Sequence, residues 1–303
     1  MAEDISIPTR TLILGCVRRD GYLDAAELYG VAEACGMTEM QVRLCLRRLV
    51  SEGALEQVGG RGRRAAFVAR GDSASQILPE LEYVHFAYRQ DAGLEPWDGR
   101  WRLVGFSVSE DRRAARDEFR DHLLYFGAAP VHGGLYVSPH ALGEVFVTEA
   151  ERLGIVETLA MMESDRLSLG GVTDPRELAG ILWPLASVAR GYEDFLGRLE
   201  RRLGRANVDV EGSGPDAVAG DVFATTLEFA RAIEPDPLLP PELLPERWSG
   251  VRARRRLADA RGMLAGLGLG DRFPTLFDWL AAIDGGSVDG GAAVTAGASG
   301  RRG

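Results

Sequence analysis

Apolar residues recur at Val42, Cys45, Leu46 and Leu49, the spacing that lays one stripe along a helix. Arg43, Arg47 and Arg48 flank the other side. Thr38 stands where an N-cap belongs and Gly53 where a helix ends, so the pattern predicts a capped amphipathic helix. Ala54 to Val58 then reads as a short strand, Gly59-Gly60-Arg61-Gly62-Arg63-Arg64 as a turn, and Ala65 to Val68 as a second strand. Together they predict a hairpin with a flexible, cationic tip. Upstream, Thr11 to Arg19 and Ala25 to Cys35 read as two further helices.

Three helices followed by a basic hairpin is the order of a winged helix-turn-helix, whose last helix enters the major groove. On that reading Thr38, Glu39, Gln41, Arg43, Arg47 and Arg48 face DNA from the helix. Arg61, Arg63 and Arg64 reach phosphates or a minor groove from the wing. Met40 and Leu44 also fall near the outward face, against thymine methyls or under a neighbouring helix. Taken alone, three arginines on a helix equally suit a solvated face; the hairpin beside them favours the nucleic-acid reading.

Beyond a polar join at Arg70 to Ser75, Gln76 to Arg89 reads as a connecting helix. Trp101 to Val108 alternates as a strand, Asp111 to Phe126 is an amphipathic helix broken at Gly127, and Gly134 to Val137 is a second strand. Ala141 to Leu153 is another helix, with Ile155 to Met162 and Arg166 to Leu169 as two more strands. That order is close to a ferredoxin-like α+β sandwich. Pro175 to Leu203 carries a long apolar stripe, and helices over Ala217 to Ile233 and Arg252 to Leu267 are separated by the proline-rich Asp236 to Pro245. The expected fold class is α+β. Its parts are a winged helix over 1–75, a connecting helix over 76–96, a ferredoxin-like domain over 97–174, a helical domain over 175–284 and a disordered tail over 285–303.

The 303 residues carry a net charge of −10, which argues against a nucleic-acid partner until it is divided along the chain. Residues 38–70 hold seven arginines against three carboxylates, so the basic surface is local and the acidity belongs elsewhere. Lysine is absent, which fits a GC-rich coding sequence. Cys16, Cys35 and Cys45 lack metal or redox spacing and read as buried thiols. His85, His122, His132 and His140 show no ligand pattern, and the glycines at 59–62 sit in a hairpin rather than before a helix, so no metal and no cofactor is expected. No apolar run approaches a membrane span and no leader pattern opens the chain, so a cytoplasmic location is expected.

Several segments together resemble the PaaX family of bacterial transcriptional regulators. They are Val42-Arg43, Leu46, Arg48-Leu49 and Gly53, the Gly62-Arg63-Arg64 turn, Trp97-Asp98-Gly99-Arg100-Trp101, Gly134-Leu135-Tyr136-Val137-Ser138-Pro139, and Asp236 to Pro245 with Trp248 and Gly250. The resemblance implies the three domains above and a repressor of an aromatic-acid catabolic operon, released from double-stranded operator DNA by phenylacetyl-CoA or another acyl-CoA. Such an effector needs aromatic walls and anion partners. The candidates are Trp101, Trp183, Tyr192 and Trp248, with Arg100, Arg190, Arg231 and Arg254. A symmetric operator implies a homodimer.

The family's middle domain is also similar to the small ferredoxin-like nuclease of CRISPR systems, where an Asp after the first strand binds a divalent metal. Ser107 occupies that place here, and a hydroxyl cannot replace a carboxylate as a hard-cation anchor. A metal-dependent nuclease using the nearby Glu110 and Asp111 is therefore the weaker alternative, beside a regulator without a small-molecule effector. The expectation is a protein that is not an enzyme.

Overall fold

The computed structural model describes residues 7–18, 20–70, 81–208 and 215–265. They form two small antiparallel sheets and ten α-helices, an α+β fold. Residues 71–80, which hold most of the expected polar join and the start of the connecting helix, and residues 266–303, with the end of the last expected helix and the tail, lie outside the described residues. The chain divides into two compact units. One gathers the described residues up to Arg89 with Ser187–Pro235 and those from Arg247 onward; the other holds Gln90–Ala186 and Asp236–Glu246.

The first unit opens with α1 (Thr9–Gly15), β1 (Tyr22–Asp24), α2 (Ala25–Ala34) and α3 (Glu39–Ser51), then β2 (Leu55–Gly59), β3 (Ala66–Ala69) and α4 (Leu81–Asp91), which runs on past the unit's boundary. Asp24 starts α2 by accepting from the Ala26 amide at 2.7 Å and the Glu27 amide at 3.2 Å. The strands run in the order β1-β3-β2, with Leu23 opposite Phe67 and Leu55 opposite Ala69. Leu12, Ile13, Leu28, Val31, Val42, Leu46 and Leu49 are buried with Leu23, Leu55 and Phe67. Strand β1 went unread because three residues carry no period. The first helix stops at Gly15 rather than Arg19, leaving Cys16 as its cap.

The second unit contains β4 (Trp101–Phe106), α5 (Arg113–Tyr125), β5 (Ala129–His132), β6 (Leu135–Ser138), α6 (Gly143–Arg152), β7 (Leu159–Ser164) and α7 (Pro175–Leu182). Its sheet has the order β5-β6-β4-β7 with every neighbouring pair antiparallel. Val104, Phe119, Leu123, Tyr136, Phe146, Ala150 and Ile155 form its core. Gly134, at φ 91°, lets the β5–β6 hairpin close against β4, since a Cβ there would lie 2.7 Å from the Phe106 carbonyl. One expectation is corrected here: Arg166 to Leu169 is not a strand, its only pairing being an isolated bridge from Leu169 to Val172; Ala129–His132, for which the pattern made no prediction, is a strand despite Pro130.

The helix expected over Pro175 to Leu203 is also two helices. Asp174 caps α7, and the chain turns extended at Trp183 before Pro184, as a residue preceding proline must. Helix α8 (Leu185–Val208) follows, then α9 (Pro215–Ile233) and α10 (Ser249–Ala265). Between α9 and α10 the Asp236–Glu246 segment belongs to the second unit. Gln90 donates to the Leu238 carbonyl at 2.8 Å, and Arg176 to the Glu242 carbonyl at 2.8 Å.

Helix α9 is part of the first unit's core. A Cβ on Gly15 of α1 would meet the Phe223 ring at 2.3 Å, and one on Gly220 would meet the Cys35 sulfur at 3.2 Å. Burial between these helices pushes the Cys35 thiol up to about 11. Within the same unit, Glu228 is 1 % exposed and accepts a two-pronged pair from Arg202 at 2.6 and 2.7 Å.

Candidate nucleic-acid interface

Helix α3 begins with a reciprocal cap. The Thr38 hydroxyl accepts from the Gln41 amide at 3.3 Å, and the Gln41 side-chain oxygen accepts from the Thr38 amide at 2.8 Å. Gln41 therefore has its carbonyl oxygen committed to the protein, which the helical spacing alone did not reveal. Val42, Leu46 and Leu49 are buried, while Glu39, Arg43, Arg47 and Arg48 are exposed. Gly53, at φ 74°, turns the chain out of the helix and into β2.

The hairpin tip is tighter than its glycines alone suggest. Gly60 sits at φ 61°, and a Cβ on it would lie 1.7 Å from the Arg64 carbonyl oxygen, so only glycine fits. Gln57 donates to the Gly60 carbonyl at 2.7 Å, and a short 3-10 turn over Gly62–Arg64 returns the chain to β3. Arg61 and Arg64 point into solvent there.

Arg63 behaves differently from its neighbours. Its Nε donates to Glu39 at 2.8 Å, its Nη2 reaches the same carboxylate and lies 3.8 Å from Glu33, and the guanidinium sits 5.5 Å from the centre of the Tyr29 ring. The hydrogen bond to Glu39 raises its pKa above the ordinary arginine value. Arg43 approaches Glu39 from the same helix at 3.8 Å. Tyr29, Ala32, Glu33, Met37, Glu39, Val42 and Arg63 line an open hollow of about 230 Å³ beneath this cluster. The structure thus brings Glu39, Arg43 and Arg63 together, whereas Arg47, Arg48, Arg61 and Arg64 are exposed and form no ion pair among the described residues.

The eight effector candidates fall in both units. Arg100, Trp101 and Trp183 belong to the second unit; Arg190, Tyr192, Arg231, Trp248 and Arg254 belong to the first. Trp101 stacks on Trp183 with ring centres 6.4 Å apart, and the Trp183 indole donates to the Gly127 carbonyl at 3.0 Å. Arg100 pairs with Glu163 at 3.0 Å. Tyr192 meets Trp248 edge-on at 6.2 Å, and a Cβ on Gly250 would lie 2.6 Å from the Trp248 indole nitrogen. Arg254 is buried, while Arg190 and Arg231 are exposed. All four aromatic candidates are enclosed by protein.

The Trp97–Trp101 motif closes on itself. Asp98 accepts from the Arg100 amide at 3.0 Å and holds the Arg102 guanidinium, which also donates to the Pro139 carbonyl at 2.9 Å. That hydrogen bond from Arg102 holds the Asp98 carboxyl below its ordinary range. Beyond β4, Ser107 is exposed, Glu110 pairs with Arg116 at 2.8 Å, and Asp111 has its pKa lowered by the Ser109 hydroxyl. No group of three His, Cys, Asp or Glu among the described residues is arranged to hold a metal ion.

An arginine-bearing helix beside a cationic hairpin, in a chain whose other unit is a four-stranded antiparallel sheet with βαββαβ order, defines the kind of molecule in hand. Two family models match side by side: the PaaX protein central Cas2-like domain over residues 94–179 and the PaaX-like protein C-terminal domain over residues 183–272. The chain belongs to the PaaX family. It is 25 % identical over 237 residues to the transcriptional repressor PaaX of Escherichia coli strain K12, covering 78 % of this chain and 72 % of that one. An uncharacterised protein from Mycobacterium tuberculosis shares the fold, with a TM-score of 0.54 and 21 % identity over 88 % of this chain and 95 % of that one.

Proposed function

We propose that this protein is a DNA-binding transcriptional regulator and not an enzyme. In this reading α1–α3 with the β1-β3-β2 sheet form a winged helix-turn-helix, α3 reads the major groove, and the β2–β3 hairpin is the wing. The middle sheet and its two helices form a ferredoxin-like domain. The observation that carries the reading is the exposed row of Arg43, Arg47 and Arg48 on α3, next to a glycine-closed tip bearing Arg61 and Arg64. Membership of a family that includes a transcriptional repressor supports it. No described helix is long and apolar enough to cross a membrane.

The finer reading is a homodimeric repressor of a catabolic operon, released by phenylacetyl-CoA or another acyl-CoA thioester. The test is fluorescence anisotropy on the duplex upstream of the protein's own gene, against scrambled DNA, with and without phenylacetyl-CoA. Specific binding abolished by the thioester supports the whole reading. Specific binding that ignores it keeps the regulator and removes that effector; equal affinity for scrambled DNA removes the regulator.

A further inference from the structure

Met40 and Leu44 are 58 % and 55 % exposed, side by side on successive turns of α3. At about 100° per residue, Met40, Leu44 and Arg47 fall within about 60° of one another and opposite the buried Val42 and Leu49. The part of the helix farthest from the core is therefore an apolar pair followed by an arginine. The cations lie at its rims, Arg43 on one side and Arg48 on the other. Two large apolar side chains left adjacent in water need a cover, and the rims state its charge.

Resting on the proposed function, we infer that Met40 and Leu44 are specificity-determining residues that read thymine C5 methyl groups on the floor of the major groove. That groove presents acidic phosphate walls to Arg48 at the rim of this face. Its only apolar floor groups are the thymine methyls, which distinguish A·T from every other pair by contact rather than by hydrogen bonding. A helix with Gln41 tied into its own cap has fewer amide groups left for adenine, so the apolar pair carries the A·T readout and Arg47, one turn further on, reads guanine.

The probe is the duplex upstream of the protein's own gene, prepared once with thymine and once with deoxyuridine, which deletes the methyl and keeps every pairing edge. The full-length protein is expected to bind the uracil duplex more weakly by about fourfold for each methyl touched. The Met40→Ala/Leu44→Ala variant is expected to bind both duplexes equally, and Leu44→Met to keep the preference. Both positions are exposed, so the fold is not at stake. Equal affinity of the native protein for the two duplexes overturns this inference and leaves the proposed function standing, as does a preference that survives in the double variant. A double variant that sediments differently while its thymine preference is intact assigns the face to a protein partner and overturns the inference. Failure to prefer the upstream duplex over scrambled DNA removes the proposed function and this inference with it.

Discussion

Arg63 at the hairpin tip donates to Glu39 at the start of α3, an ion pair made across 24 positions of sequence. The residue expected to hold a phosphate is thus paired with a carboxylate of its own chain. Both partners are about half exposed, so the pair adds little to stability and a phosphate can compete for the guanidinium. Glu39→Gln should leave the melting temperature nearly unchanged, raise affinity for DNA of any sequence, and steepen the salt dependence by about one unit as Arg63 is released. Arg64→Ala should flatten that slope by about one unit, and Arg63→Ala by less. Anisotropy titrations from 50 to 200 mM salt, on the order used to resolve such slopes, check this. Equal slopes in native protein and Glu39→Gln would show that the ion pair does not restrain Arg63.

Arg43 and Arg47 face outward one turn apart. If each reads a base, replacement by Ala costs about 1–3 kcal/mol on the preferred duplex and relaxes preference at one position. Selection of binding sites from a randomised pool by each variant measures this. A uniform loss across all sequences would move both residues to the phosphate-contacting group.

Much of this was legible in the sequence. Helix α3 announces itself because apolar period, cap and terminal glycine agree, and local agreement of that kind survives folding. Pro184 was equally legible and should have divided the Pro175 to Leu203 stretch. What the sequence could not display is contact between distant positions. The Glu39–Arg63 pair and the seat of Phe223 on Gly15 join segments with no shared period. Strand β5 was not legible for another reason: four residues containing Pro130 carry no strand pattern until β6 supplies the partner. The aromatic candidates show a further limit, because tryptophan and tyrosine suit a ligand wall and a protein core equally; Trp101 stacks on Trp183, and Tyr192 meets Trp248 edge-on.

Gly15→Ala tests the seam between α1 and α9. Alanine normally favours a helix by about 1 kcal/mol over glycine, but here its methyl would enter the Phe223 ring. Overpacking costs about 1–3 kcal/mol and should win, lowering the denaturation midpoint; Phe223→Leu in the same chain should recover part of it. A stabilised Gly15→Ala would mean that α9 does not sit on α1 as described.

His140 supplies a pH dependence. Burial holds its imidazole down to about 4 from an ordinary 6.5, with Nε2 3.2 Å from the Pro237 carbonyl. As pH falls, the unfolded chain takes up this proton first. The contribution is therefore complete above pH 6.5 and is lost between 6.5 and 4, about 3 kcal/mol in all. The stability difference between native protein and His140→Asn, measured by urea denaturation, should shrink by that amount over the same interval. A constant difference would place the imidazole in contact with water.

The seat of Phe223 against Gly15 also sets an order of events during synthesis. The N-terminal helices leave the ribosome some two hundred residues before the aromatic ring that packs on Gly15, so that part of their core closes only once α9 has been made. A graft of residues 7–70 onto another regulator would carry the same gap permanently. Whatever alters the seating of α9 reaches α3 through α1 and α2, against which both helices pack.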